Sequence, residues 1–105
     1  MTEELDPLIH ATSRLRIMTT LASIDDGASL SFAKLSDLLG MTAGNLSVHL
    51  TKLEQAGYVT IEKTFEGRKP ATYAAITPAG RKAFDGYLAA LKALLAPVQG
   101  AEADF

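Results

Sequence analysis

The chain has 105 residues, is 48% hydrophobic and carries a net charge of −2 at pH 7. This length and composition favour one folded domain with a modest core and exclude a disordered chain. Because there is no cysteine, disulfides, thiolate metal sites and thiol redox sensing are excluded, and the histidines His10 and His49 make no metal-binding motif. We therefore expect no metal and no cofactor. The acidic N-terminus lacks an apolar signal core, and no stretch is apolar enough to span a membrane, so a cytoplasmic protein without a membrane partner is expected.

The charge is unevenly distributed along the chain. Residues 31–82 contain seven lysines and arginines against four carboxylates, whereas residues 1–30 and 83–105 are both net acidic. A basic middle is typical of a nucleic-acid-binding surface even where the total charge is negative.

The first half of the chain shows two helix starts. Asp6-Pro7 predicts a helix over about 7–24, with Thr12-Ser13 as a candidate break. A short strand is expected at about 29–31, and its last residue, Ser31, caps a second helix over 32–39. Gly40 ends that helix.

A third helix is predicted over 43–56, capped by Thr42 and ended by Gly57. Leu46, Leu50 and Leu53 recur at helical spacing and face inward. The other side carries small or polar residues, which suit close approach to the major groove of DNA. The tight Gly40-Met41 connection makes the second and third helices a helix-turn-helix.

A β-hairpin and a last helix follow. Alternation predicts strands at about 58–65 and 71–76, joined by a basic tip at 66–70. Thr77-Pro78 opens a helix over 78–96, and 97–105 is expected to be a flexible tail. The last helix is apolar on more than one side, which indicates an interface between subunits; the alternative is a helix wholly buried in its own domain.

Three segments of the chain resemble one family. SVHLTKLEQAGYV (47–59), GRKPATYAAITPAGRKAF (67–84) and HATSRLRIMTTL (10–21) are similar to winged helix-turn-helix regulators of the multiple-antibiotic-resistance (MarR-like) and arsenical-resistance (ArsR-like) repressor types. The resemblance covers roughly residues 8–95. It implies a mainly α fold with a small β-hairpin, in one winged-helix domain over 1–105.

The resemblance also implies the site. The helix over 43–56 enters the major groove, the wing at 66–70 contacts the backbone or minor groove, and the first and last helices form a homodimer. The expected DNA-binding residues of the helix are Thr42, Ala43, Gly44, Asn45, Ser47, Val48, His49 and Lys52. Those of the wing are Lys63, Arg68 and Lys69. The expected dimer residues are Leu8, Ile9, Ile17, Tyr87, Leu91, Leu94 and Leu95.

Some of these residues have a second interpretation. His49 either contacts phosphate or packs against the second helix. Lys63 either contacts DNA or pairs with a neighbouring glutamate, and Arg68 and Lys69 either contact phosphate or only solubilise the hairpin tip.

The function predicted from the sequence is that of a homodimeric, sequence-specific regulator of transcription, with double-stranded DNA as partner and repression as its action. The alternative is a winged-helix module that binds protein. An enzyme is not expected, because no phosphate loop, carboxylate pair or nucleophile with a base is present. A small-molecule effector could bind between the dimer helices and the DNA-binding lobe, as in the relatives, or the regulator could respond to its own concentration alone.

Overall fold

The computed structural model of the protein describes residues 5–97. They form helices α1 and α2, strand β1, helices α3 and α4, the hairpin β2–β3, and helix α5. The bounds are α1 Pro7–His10, α2 Thr12–Ala22, β1 Leu30–Ser31, α3 Phe32–Leu39, α4 Ala43–Gln55, β2 Val59–Glu66, β3 Lys69–Ile76 and α5 Pro78–Leu95. The predicted mainly α fold with a small hairpin is confirmed. Except for Pro97, the predicted tail lies outside the described residues.

The first predicted helix is two helices. Ala11 has an extended backbone (φ −64°, ψ 129°), which ends α1 and lets α2 start at Thr12. The predicted break at Thr12-Ser13 is therefore one residue too late. The helix ends at Ala22, two residues before the predicted end at about residue 24.

Side chains cap four of the helices, as the sequence predicts. Asp6 accepts a hydrogen bond from the Leu8 amide at 2.9 Å, and Ser31, Thr42 and Thr77 each accept one from the amide three residues on. Each cap satisfies a backbone donor that has no partner inside its helix.

The core lies between the helices and the inner part of the sheet. Leu46, Leu50 and Leu53 are buried there, which confirms the predicted leucine stripe of α4. The other helices and the sheet supply the remaining buried side chains, which are Ile9, Ile17, Met18, Leu21, Leu35, Leu39, Val59, Ala74, Phe84, Tyr87 and Ala90.

The sheet has three antiparallel strands in the order β1–β3–β2. In the hairpin, Glu66 pairs with Lys69, so only Gly67 and Arg68 form the loop. The predicted tip at 66–70 is thus too long. A positive φ of 65° at Gly67, the first loop position, is the pattern of a type II′ turn, which matches the twist of the strands and lets them pair up to the loop.

Arg81 ties α5 to the end of α2. Its guanidinium donates to the Ala22 carbonyl oxygen at 3.1 Å and pairs with the Asp26 carboxylate at 3.0 Å. One of the seven positive charges of the basic middle therefore serves the fold.

Tyr58, between α4 and β2, anchors the start of α1. Its hydroxyl donates to Asp6 Oδ2 at 2.6 Å. This hydrogen bond, together with partial burial and the charge of Asp6, raises the pKa of Tyr58 to about 12. The contribution of this hydrogen bond to the free energy of unfolding is complete below pH 10, which is the ordinary pKa of tyrosine. It is lost as the pH rises through about 12, the pKa of Tyr58 in the folded protein.

We expect Asp6→Asn to lower the pKa of Tyr58. Asn caps a helix about as well as Asp, so α1 keeps its cap while the carboxylate is lost. Ultraviolet absorbance of tyrosinate against pH measures the change, and Tyr58→Phe identifies the late-titrating residue. A Tyr58 that titrates near pH 10 in the folded wild type would contradict this contact.

Candidate nucleic-acid interface

Helix α4 presents small and polar residues, together with Val48, on its exposed side. Seven of the eight residues predicted to contact DNA from this helix are exposed, and His49 is half-buried. The exposed ones are Thr42, Ala43, Gly44, Asn45, Ser47, Val48 and Lys52. Because the leucines fix the opposite side in the core, the helix cannot rotate without exposing them. The short side chains are therefore held at the surface in one orientation.

The turn before α4 is fixed by two hydrogen bonds. The Met41 amide donates to the Ser36 carbonyl oxygen at 3.2 Å, and the Ser36 hydroxyl donates back to the Met41 carbonyl oxygen at 2.6 Å. These bonds hold the end of α3 against the start of α4, which sets the angle between the two helices of the helix-turn-helix.

His49 contacts the body of the protein through Arg14 of α2. Arg14 Nη1 lies 3.2 Å from His49 Nδ1. Since a guanidinium only donates, Nδ1 must accept, which places the ring proton on Nε2. Burial, then the positive charges of Arg14 and Lys52, lower the pKa of His49. The lowered pKa favours the neutral ring that this contact with Arg14 requires. The residue that His49 contacts, Arg14, lies on α2, whereas the sequence offered contact with phosphate or packing against the helix over 32–39.

Arg14 also holds α1. Its Nε donates to the Leu8 carbonyl oxygen at 2.5 Å. One guanidinium therefore joins α1 to α4, the helix that carries the predicted DNA-binding residues and is called the recognition-type helix below. The sequence did not predict this contact of Arg14, because its partner His49 lies 35 positions away and no local pattern connects them.

The wing carries its predicted cations at the surface. Lys63, Arg68 and Lys69 are all exposed. Among the described residues, 5–97, a single ion pair forms, between Arg81 and Asp26. Lys63 is therefore not paired with a glutamate within that range.

An open groove of about 530 Å³ separates α4 from the wing. Its walls come from α3, α4 and the two hairpin strands: Phe32, Ser47, Leu50, Thr51, Glu54, Ile61, Lys63 and Thr72. The face of β2 that carries Lys63 is therefore turned towards the exposed side of α4, and both elements can contact one ligand surface.

The structure divides the predicted dimer residues into two groups. Ile9, Ile17 and Tyr87 are buried in the core of the single chain, so their side chains are not available to a partner. Their prediction as dimer residues is therefore wrong. Leu8 and Leu91 are half-buried, whereas Leu94 and Leu95 are 68% and 73% exposed.

The comparisons with known proteins identify the family. Residues 13–95 match the family described as winged helix DNA-binding domain, and the chain belongs to that family. An uncharacterized protein of Methanocaldococcus jannaschii is 32% identical over 81 residues, which cover 77% of this chain and 85% of that protein. Family membership makes this a DNA-binding protein and not an enzyme.

Solved structures agree with this assignment. A transcriptional regulator homologue from Pyrococcus horikoshii has 31% identity and a TM-score of 0.75, with 84% of each chain covered. AbsC, a MarR family transcriptional regulator from Streptomyces coelicolor, has 22% identity and a TM-score of 0.62, with 89% of this chain and 67% of AbsC covered. At 22% identity, the likeness to AbsC shows the fold alone. In residues 5–97, no helix has both the length and the apolar character needed to cross a membrane.

Proposed function

We propose that the protein is a homodimeric, sequence-specific transcriptional regulator that represses by occupying promoter DNA. One observation carries this proposal: a leucine-anchored helix presents short polar side chains beside a hairpin with three exposed cations. Helix α4 would read base edges in the major groove, and the wing at 66–70 would contact the backbone or minor groove. The likeness to the transcriptional regulator homologue from Pyrococcus horikoshii supports the regulatory role.

The end of α5 supports the proposed dimer. Tyr87, Ala90, Leu91 and Leu94 recur at helical spacing, but only the first three are covered by their own chain. Leu94 and Leu95 continue the apolar stripe beyond the core, and a second copy would cover them. Two α4 helices related by a two-fold axis would then match two half-sites one turn apart.

Repression is the simpler of the two actions open to such a regulator, because activation would require a further contact with polymerase. Occupation of a promoter blocks its use without further contacts.

Asn45→Ala tests direct readout by α4. We expect a loss of about 1–3 kcal/mol in binding free energy at particular base pairs and little change at others, because an amide recognises a base edge in a fixed geometry. Affinities for a panel of singly mutated duplexes measure the effect. The control Gln55→Ala removes an exposed amide at the other end of α4. Equal losses for every duplex would contradict direct readout.

Arg68→Ala tests contact by the wing. We expect weaker binding to all sequences and a salt slope reduced by about one, since one phosphate contact and its counterion release are lost. Anisotropy titrations at several salt concentrations measure the slope. Lys82→Ala removes an exposed cation on α5, near the base of the sheet, and should leave the slope unchanged. An unaltered slope in Arg68→Ala would exclude the loop of the wing from the interface.

A further inference from the structure

An aromatic side chain lies exposed near the tip of the wing. Phe65, in β2, is 68% exposed, although Val59 and Ile61 on the same strand face are buried or half-buried. Single exposed apolar residues are common and by themselves indicate nothing. The position of Phe65 and its neighbours distinguish it.

Phe65 lies on the wing face that is turned towards α4. Side chains two residues apart share a strand face, and Ile61 and Lys63 line the groove against α4, so Phe65 extends that face beyond the groove. Across the hairpin it pairs with Pro70. Phe65 and Pro70 thus form a small apolar tip that nothing in residues 5–97 covers.

The carboxylates of the strand lie on the face opposite this tip. Lys63 shares the face of Phe65, and Arg68 lies in the adjoining loop, whereas Glu62 and Glu66 alternate onto the opposite face, where Lys69 stands across from Glu66 in the hairpin register. The apolar tip is therefore flanked by cations on the side of the recognition-type helix. Double-stranded DNA complements this arrangement, because its phosphates are negative and its stacked base pairs are apolar. A purely apolar protein surface does not.

The reach of the strand also fits DNA. Phe65 is four residues beyond Ile61, or about 13 Å along the strand. The major groove that α4 would occupy is about 12 Å wide, so the tip reaches past its edge towards the adjacent minor groove.

We propose that Phe65, supported by Pro70, is an apolar wedge that enters the minor groove beside the site contacted by α4 and partly unstacks one base-pair step. This inference rests on the proposed function. Phe and Pro are among the side chains that proteins insert between base steps, and such insertion kinks the duplex towards the major groove. Pyrimidine–purine steps unstack most easily, so the wedge adds a preference for a TA or CA step at a position that α4 does not contact.

Phe65→Ala tests the wedge on a duplex obtained by selection from random DNA. We expect affinity to fall about tenfold, since an apolar side chain is no longer buried. The salt slope should stay that of the wild type, because an apolar contact releases no counterions. Energy transfer between dyes at the two duplex ends should fall to the value of straight DNA, because the bend is lost. The fluorescence of 2-aminopurine at the flanking step should lose the rise that unstacking causes.

Two variants serve as controls. Phe65→Leu keeps a side chain able to act as a wedge and should retain most of the bend. Thr64→Ala lies next to Phe65 on the opposite face and should behave as wild type. Because Phe65 is mostly exposed, the thermal midpoint of Phe65→Ala should match that of the wild type, which separates the effect from misfolding.

Three results would overturn the inference. Equal affinity and bend in Phe65→Ala would remove Phe65 from the interface, and lower affinity with an unchanged bend would make it a contact without insertion. A change in oligomeric state of Phe65→Ala by sedimentation would assign the tip to a second copy of the chain. Failure of the wild type to bind any duplex is a different outcome, since it would overturn the proposed function as well.

Discussion

Gly80→Ala is expected to destabilise the protein by about 3 kcal/mol or more. Gly80 is buried near the start of α5, where the helix packs directly on the backbone of Tyr58. A methyl group there would overlap the Tyr58 carbonyl oxygen and come within 2.8 Å of the carbonyl carbon. The obstacle is backbone, which cannot rotate away as a side chain can, so the helix or the strand must move.

The contact cannot relax easily because hydrogen bonds fix both sides. The Tyr58 carbonyl oxygen accepts from the Thr77 amide at 3.0 Å, and the Thr77 hydroxyl donates to the Gly57 carbonyl oxygen at 2.6 Å. The Gly80 amide donates to that same hydroxyl at 2.9 Å. A shift of α5 would break bonds that join it to the end of α4 and the start of the wing.

Gly86→Ala is the matched control for this prediction. Gly86 lies in the same helix, is exposed, and a Cβ there would meet nothing within 4 Å. Alanine should therefore stabilise the helix by about 0.5–1 kcal/mol. Denaturant unfolding of both variants measures the contrast. Equal effects of the two substitutions would show that α5 does not pack on Tyr58 as closely as the structure places it.

Leu94→Glu is expected to convert the proposed dimer to monomers and to weaken DNA binding about a hundredfold or more. Leu94 is 68% exposed on the single chain, so a carboxylate there costs the monomer little. In a dimer the same carboxylate would be buried without a partner. Loss of the second half-site then removes the effective-concentration gain of bivalent binding.

Sedimentation velocity and anisotropy titrations measure the two effects. Ala89→Glu is the control, since Ala89 is exposed on the side of α5 away from the apolar stripe and receives the same charge. A Leu94→Glu protein that remains dimeric and binds DNA as the wild type does would place the dimer interface elsewhere.

Local patterns predicted most of the fold. The caps at Asp6, Ser31, Thr42 and Thr77 and the leucine stripe of α4 depend on residues within a few positions of one another, and the structure confirms them. Periodicity shows which residues share a face without showing what covers that face. For this reason Ile9, Ile17 and Tyr87 were assigned to a partner although their own chain buries them.

Contacts between distant residues could not be predicted. The pairs Arg14–His49 and Asp6–Tyr58 join segments 35 and 52 positions apart, and no spacing rule connects them. Phe65 shows a related difficulty. Alternation places Phe65 on the same strand face as Val59 and Ile61, but that face changes from buried at Val59 to exposed at Phe65, near the hairpin loop.

Selection of bound duplexes from a random pool, followed by anisotropy titration of the selected sequence at two salt concentrations, tests the central claim most directly. We predict an inverted repeat with half-sites about one turn apart, bound by a dimer with a negative salt slope. No enrichment by a protein shown to be folded and dimeric would contradict sequence-specific binding and would favour a winged-helix module that binds protein.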